Sequence, residues 1–241
     1  DGRVHAGAWP VGVVSGGAGA AGRAPAVERQ VQQSRQFVRG HLRAVGVELG
    51  QVTGKKWLVA AQAAVAARGG VLGLSLTAML EACCALGEQV SVLDREIRRL
   101  VRQDAPCRRM MTAPGVGLLS ALALRASLDD AGRFARSAEV GPYLGLTPSR
   151  WQTGKTDRRG AITKQGDSLV RAYLYEAATS LLERQKRDCP LRRWGLAQQD
   201  RLGKRRTRVA VARKLAVLMH KLWRSGETFD WNRGMGAITI N

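Results

Sequence analysis

Leu72, Leu76, Met79, Cys83, Leu86, Val90, Leu93, Ile97 and Leu100 follow one another at alternating intervals of four and three. This is an unbroken heptad seam over about four heptads, the pattern of a long helix with an apolar stripe. Leu76, Cys83, Val90 and Ile97 fall at a and the others at d, and branched residues at a with Leu at d favour two strands. Two arrangements use such a seam. One is a coiled coil between two copies of the chain, and the other is an antiparallel helix pair within one subunit. The spacing predicts a coiled coil over 72–100 and, through it, a homo-oligomer.

The segments around the seam are helical too. Residues 27–50 carry Val31, Phe37, Val38, Leu42 and Val45 among arginines, and the Ala-rich stretch 58–67 ends at Gly69-Gly70, a helix stop signal. Residues 1–26 are rich in Gly, Ala and Val with no steady period, and read as a linker. They contain Gly17, Gly19 and Gly22 in a G-x-G-x-x-G spacing. A dinucleotide fingerprint needs a helix directly afterwards and an acid about 20 residues on. Pro25 interrupts the first requirement, and Glu28 and Glu48 are the nearest acids. The organisation expected is a linker (1–26), a helical region with the coil (27–104), a second helical domain (105–231) and a short tail (232–241). The fold class is mainly α: a long coiled-coil helix, then a helical domain with a helix-hairpin-helix and a short basic loop or hairpin.

Charge narrows the partners. The net charge is +20, and residues 147–224 alone hold 20 basic against 6 acidic side chains, while 71–146 are close to neutral. A field concentrated in this way attracts nucleic acid, because binding releases condensed counterions. The apolar fraction of 45% excludes a wholly disordered basic tail. No uninterrupted apolar run reaches the roughly 18 residues of a bilayer span, since Glu81 breaks the best one, so no membrane partner is expected. Four cysteines, Cys83, Cys84, Cys107 and Cys189, are too few in a long chain for a disulfide framework. Cys83 on the seam reads as a small core residue. His5, His41 and His220 are isolated, so no metal site is expected. These traits fit a cytoplasmic, nucleoid-associated protein with reduced thiols.

Two segments carry candidate chemistry. Arg108 and Arg109 lead into Pro114-Gly115-Val116-Gly117, which is followed by an apolar helix from Leu118. Two glycines permit a tight turn, and the next helix N-terminus offers backbone amides to a phosphate. This fits a helix-hairpin-helix gripping DNA backbone without reading bases, and it also fits an ordinary corner between helices. The second segment, 150–167, holds Lys155, Arg158, Arg159 and Lys164 among several turn signals. Asp167 is placed to cap a helix from Ser168, with Val170, Leu174, Ala177, Ala178 and Leu181 on its buried face and Arg171 pointing back to the loop. Such cations would stabilise charge developing on a phosphate under attack by a hydroxyl. They would equally serve a binding loop with no chemistry. Further on, Lys204, Arg205 and Arg206 precede a widely apolar helix over Val209–Trp223 and are expected to touch phosphate. Trp194 reads as a packing aromatic.

Several strings in this order resemble one family. They are Met111-Thr112-Ala113-Pro114-Gly115-Val116-Gly117, Gly141-Pro142-Tyr143-Leu144-Gly145-Leu146-Thr147-Pro148, Gln152-Thr153-Gly154, Thr156-Asp157-Arg158-Arg159-Gly160 and Val209-Ala210-Val211-Ala212-Arg213-Lys214-Leu215-Ala216. The chain resembles the C-terminal half of the DEDD insertion-sequence transposases, the bridge-RNA-guided recombinases related to Piv-type DNA invertases. The likeness is dense over about 105–231 and weaker over 27–104. It implies a mobile-element transposase that recombines DNA with a structured guide RNA, using a coil for assembly. It also implies a two-part active site, in which an N-terminal RuvC-like domain binds metal through an Asp-Glu-Asp-Asp set and the C-terminal domain supplies a serine that joins DNA covalently. In this chain the serine position is Thr153, whose extra methyl stiffens χ1 and crowds an in-line attack. Asp1, Glu28 and Glu48 are the only acids before Glu81, so the metal set is absent and Mg2+ is implied only with the RuvC-like domain. The resemblance therefore casts the chain as a truncated transposase, expected not to recombine DNA alone. Its alternative is a non-catalytic, dimeric nucleic-acid-binding remnant of a decayed one.

Overall fold

The computed structural model describes residues 29–50, 54–153 and 156–231. It is mainly helical, as the periodicities predict, and packs as two units that divide between Glu96 and Ile97. The Gly17-Gly19-Gly22 spacing, the linker 1–26 and the tail 232–241 lie outside the described residues, as does Lys155.

In the first unit, helix α1 covers 29–44, α2 covers Gly54–Ala66 and α3 covers Gly70–Gln103. Val38 and Leu42 of α1, Trp57, Ala61 and Val65 of α2, and Leu76 and Leu80 of α3 form one buried cluster, with Leu72 and Met79 against it. The first half of the heptad seam therefore packs inside its own subunit. Leu80 lies one position past the seam. Two helices resting on α3 need a wider stripe than a and d alone provide, as in ordinary globular helices. Cys83 is buried, and burial pushes its thiol pKa up. From Leu86 to Leu93 the seam residues are only half-buried. By length and mean hydropathy α3 could cross a bilayer. The uninterrupted-run criterion misses this because it stops at Glu81, whereas an average passes over it.

The second unit begins on the last turns of α3, where Ile97 and Val101 are buried. Asp104 ends that helix and starts the next, accepting a hydrogen bond from the Cys107 amide at 2.9 Å to cap α4 (Ala105–Met110). A turn leads to α5 (Leu118–Leu128), two 3-10 turns (Ala131–Arg133 and Ser137–Glu139) and the short α6 (Val140–Tyr143). Strands β1 (Pro148–Thr153) and β2 (Thr156–Ile162) form an antiparallel hairpin. Helix α7 (Ser168–Thr179) follows and continues as a π-helical turn, Ser180–Arg184. Asp167 caps α7 as expected, accepting from the amides of Leu169 at 2.7 Å and Val170 at 3.3 Å. Val170, Leu174, Ala177, Ala178 and Leu181 are all buried.

Helix α8, Pro190–Ser225, contains the main departure from a simple helical reading. Gly203 has φ 74° and ψ 158°, a conformation that is essentially glycine-only. The chain doubles back there. A side chain placed on Gly195 would meet Val211 of the second limb, and the Lys214 ammonium lies 4.3 Å from the Trp194 ring centre. These pairs are roughly equidistant from Gly203 in sequence, so the two limbs form an antiparallel helical hairpin with its tip at 203–204. Trp194 thus packs against the second limb, as its surroundings suggest. Burial and then Arg213 lower the Lys214 pKa.

The second limb of α8 is the centre of this unit, with Val211, Leu215, Ala216 and Met219 buried. Two polar groups are buried with it. His220 bridges both 3-10 turns, 2.8 Å from the Ser137 hydroxyl and 3.0 Å from the Ala131 carbonyl. Burial lowers its pKa, and a carbonyl can only accept, so Nε2–H donates to Ala131 and Nδ1 accepts from Ser137. Arg125 lies 3.8 Å from the Asp104 carboxylate and 4.4 Å above the Trp223 ring. This places the charge between an anion and an aromatic face, both of which favour it.

Candidate nucleic-acid interface

The 148–162 hairpin stands clear of the core. Every residue of β1 is exposed. Its base is tied down by the Thr163 amide on the Thr147 carbonyl at 3.0 Å and the Lys164 amide on the Gly145 carbonyl at 3.1 Å. Arg171, in the first turn of α7, donates to the carbonyls of Gly166 and of Leu144, the latter at 3.3 Å. It points back to the loop as expected, and its guanidinium is engaged in holding that loop's shape. Lys164 is exposed with φ 58°.

Pairing in the hairpin sets Trp151 opposite Arg158, Gln152 opposite Asp157 and Arg150 opposite Arg159. Because strand side chains alternate between faces, Trp151, Thr153 and Arg158 share one face. Arg150 and Asp157 share the other, joined by a two-pronged ion pair of 2.9 and 3.0 Å. Thr153 and Arg158 are both exposed. The side chain of Arg159 lies outside the described residues.

The remaining candidates sit elsewhere. Lys204, Arg205 and Arg206 are exposed at the tip of the α8 hairpin beside exposed Arg201. Arg208, just below, is anchored to the Tyr175 hydroxyl at 3.2 Å and to Glu183, and these bonds raise its pKa. Arg109 lies at the opposite end of the second limb, its guanidinium beside Gly226, the left-handed cap of that helix. A cation there complements the helix dipole. The limb is roughly 30 Å long at 1.5 Å per residue, so Arg109 and the hairpin tip belong to separate surfaces. Arg108 is exposed and donates to the Arg102 carbonyl.

The Pro114–Gly117 turn is largely an interior element. Pro114 and Val116 are buried, and Gly117 is exposed as the N-cap of α5. Gly115 has φ 78°, and a Cβ on it would run into the Ala177 carbonyl oxygen. The glycine there permits α7 to approach the turn. Solvent reaches the turn at Gly117 and the start of α5, and in part at half-buried Gly115, so a backbone grip on phosphate has a narrow edge to use. Sequence reasoning missed Trp151 and the break at Gly203. A lone glycine ahead of a basic run, Leu202-Gly203-Lys204, was the signal for the second.

Residues 107–190, which include the turn, the β-hairpin and α7, match the model of the Transposase IS116/IS110/IS902 family. Over these residues the chain is similar to that family's transposase domain. The relatives of the chain are named accordingly. A transposase for insertion sequence element IS1111A from Coxiella burnetii is 30% identical over 59% of this chain and 39% of its own length. A transposase for insertion sequence element IS1328 from Yersinia enterocolitica is 28% identical over 60% of this chain and 44% of its own. The y4pF/y4sB protein of Sinorhizobium fredii is 34% identical over 63% of this chain and 40% of its own. The chain spans about 40% of the length of these curated relatives. Thr153, Arg158, Lys164 and Arg171 all lie within the matched segment, whereas Lys204, Arg205 and Arg206 lie beyond it. Among the described residues no cluster of His, Cys, Asp or Glu is arranged to hold a metal ion.

Proposed function

We propose that the chain is the strand-transfer part of an insertion-sequence transposase, binding DNA and presenting the Thr153 hydroxyl to a backbone phosphate. The observation that carries this reading is the exposed Thr153 on a β-hairpin clear of the core, inside the segment that matches the transposase family. In the transfer, Thr153 Oγ bonds to phosphorus while the bond from phosphorus to one deoxyribose oxygen breaks. The hydroxyl proton ends on that leaving oxygen. Attack by a second deoxyribose hydroxyl reverses the step and joins the new strand. Arg158 and Lys164 neutralise the phosphate oxygens as charge develops. A RuvC-like domain with Mg2+ and a structured guide RNA complete the assembly, and the half-buried Leu86–Leu93 stretch of α3 offers a second copy of the chain a short seam.

Engagement of Arg171 with two backbone carbonyls supports a second reading, because it removes one cation from the expected phosphate site. In that reading the chain binds nucleic acid and performs no transfer. An SDS-resistant protein–DNA adduct separates the two. With a RuvC-like domain and Mg2+ supplied in trans, the strand-transfer reading expects an adduct with the native chain, more with Thr153→Ser and none with Thr153→Ala. Binding without any adduct, even from Thr153→Ser, selects the second reading. Both expect a steep salt dependence. Affinity for duplex DNA, followed by fluorescence anisotropy, should fall roughly tenfold or more between about 50 and 200 mM salt when several phosphates are bound. A salt-insensitive affinity contradicts both.

A further inference from the structure

Trp151 is 78% exposed, the most open large apolar side chain among the described residues of the second unit. It sits in the middle of β1 on the face that also carries Thr153 and Arg158. The acid of this hairpin, Asp157, is engaged by Arg150 on the opposite face, so the Trp151 face presents an indole, a guanidinium and a hydroxyl. An isolated aromatic flanked by Arg, Gln and Thr is far smaller than the roughly 800 Å2 that each side of a stable protein interface buries. One planar ring beside a cation is the unit that single-stranded nucleic acid uses, the base stacking on the ring while the backbone follows positive charge. The surrounding segment 147–224, with 20 basic and 6 acidic residues, has the matching charge.

We propose that Trp151 is a base-stacking residue that receives an unpaired DNA base next to the phosphate facing Thr153. Residues two apart on a strand are separated by roughly 6.6 Å. A base on the indole and a phosphate at the hydroxyl therefore belong to the same nucleotide or to neighbours. Trp151 is a positioning residue here. By holding one base out of the duplex it fixes which phosphate lies at Thr153. The inference rests on the nucleic-acid reading above.

The test compares the native chain, Trp151→Ala and Trp151→Phe by anisotropy on an oligo-dT of about 20 nucleotides, a duplex of equal length and an oligo-rU, with circular dichroism and melting to confirm folding. Loss of one stacked base should weaken oligo-dT binding by Trp151→Ala on the order of tenfold. Duplex binding should change by less than about threefold, since phosphate contacts dominate there. Trp151→Phe keeps a ring and should recover most of the loss. Equal affinity of Trp151→Ala and the native chain for oligo-dT, with salt-sensitive binding intact, overturns the proposal and leaves the nucleic-acid reading standing. A loss of the same size on the duplex also overturns it. Tighter native binding to oligo-rU, with the Trp151 dependence confined to it, overturns the assignment to DNA. Failure of the native chain to bind any of the three removes the nucleic-acid reading, and this proposal with it.

Discussion

Substituting alanine for Gly115 should destabilise the second unit by about 3 kcal/mol or more, the sum of a left-handed backbone and an overpacked neighbour. The new Cβ would collide with the Ala177 carbonyl oxygen, and would start 2.9 Å from the Leu181 Cβ and 3.0 Å from the Leu181 amide nitrogen. Two of these three atoms are backbone, so no side-chain rotation relieves them, and α7 must move away from the turn. For a unit of this size the midpoint of thermal unfolding should drop by roughly 10 °C, measurable by circular dichroism. The same experiment decides what the Pro-Gly-Val-Gly sequence is for. If the glycine mainly serves a phosphate, the variant melts normally and loses DNA affinity. If it serves the packing of α7, as the burial of Pro114 and Val116 indicates, stability falls first.

The second large effect should come from the tip of the α8 hairpin. Reversing Lys204, Arg205 and Arg206 together to glutamate inverts the local charge on side chains that are all exposed. Duplex affinity at low salt should fall on the order of a hundredfold or more, and the slope of log affinity against log salt should become shallower by about 0.9 for each phosphate no longer neutralised. Melting should be unchanged, because none of the three side chains is buried. An unaltered slope would exclude the tip from the interface. The opposite end of the limb, near Arg109, would then be the next surface to test by the same measurement.

Much of the helical scaffold was legible from periodicity. The cap at Asp167 and the buried stripe from Val170 to Leu181 follow the spacing residue by residue, because a capped amphipathic helix leaves little room for alternatives. The seam over 72–100 was legible as a helix, while its partner was not. An a/d pattern describes a stripe without saying whether that stripe meets another chain or α1 and α2 of its own, and Leu80 was the one apolar residue favouring the wider packing. The α8 turn-back was illegible for a related reason. Apolar periodicity on both sides of Gly203 reads as two helices in any relative direction, and only the φ and ψ of one residue determine the reversal. At the candidate site, charge singled out the basic segments but could not tell Arg171, engaged with carbonyls, from Arg158, exposed on the hairpin. Both are arginines near turns, and the difference lies in which backbone oxygens the fold brings within reach.

Among the described residues, the β-hairpin is stapled at its root, through Thr163 and Lys164 to Thr147 and Gly145, while both sides of β1 remain bare. The side chains of β1 therefore contribute almost nothing to the cohesion of the unit that carries them. Selection can rewrite Arg150 through Thr153 with the interior left undisturbed. Lineages of such a domain can consequently diversify what the hairpin touches much faster than they diversify the scaffold beneath it.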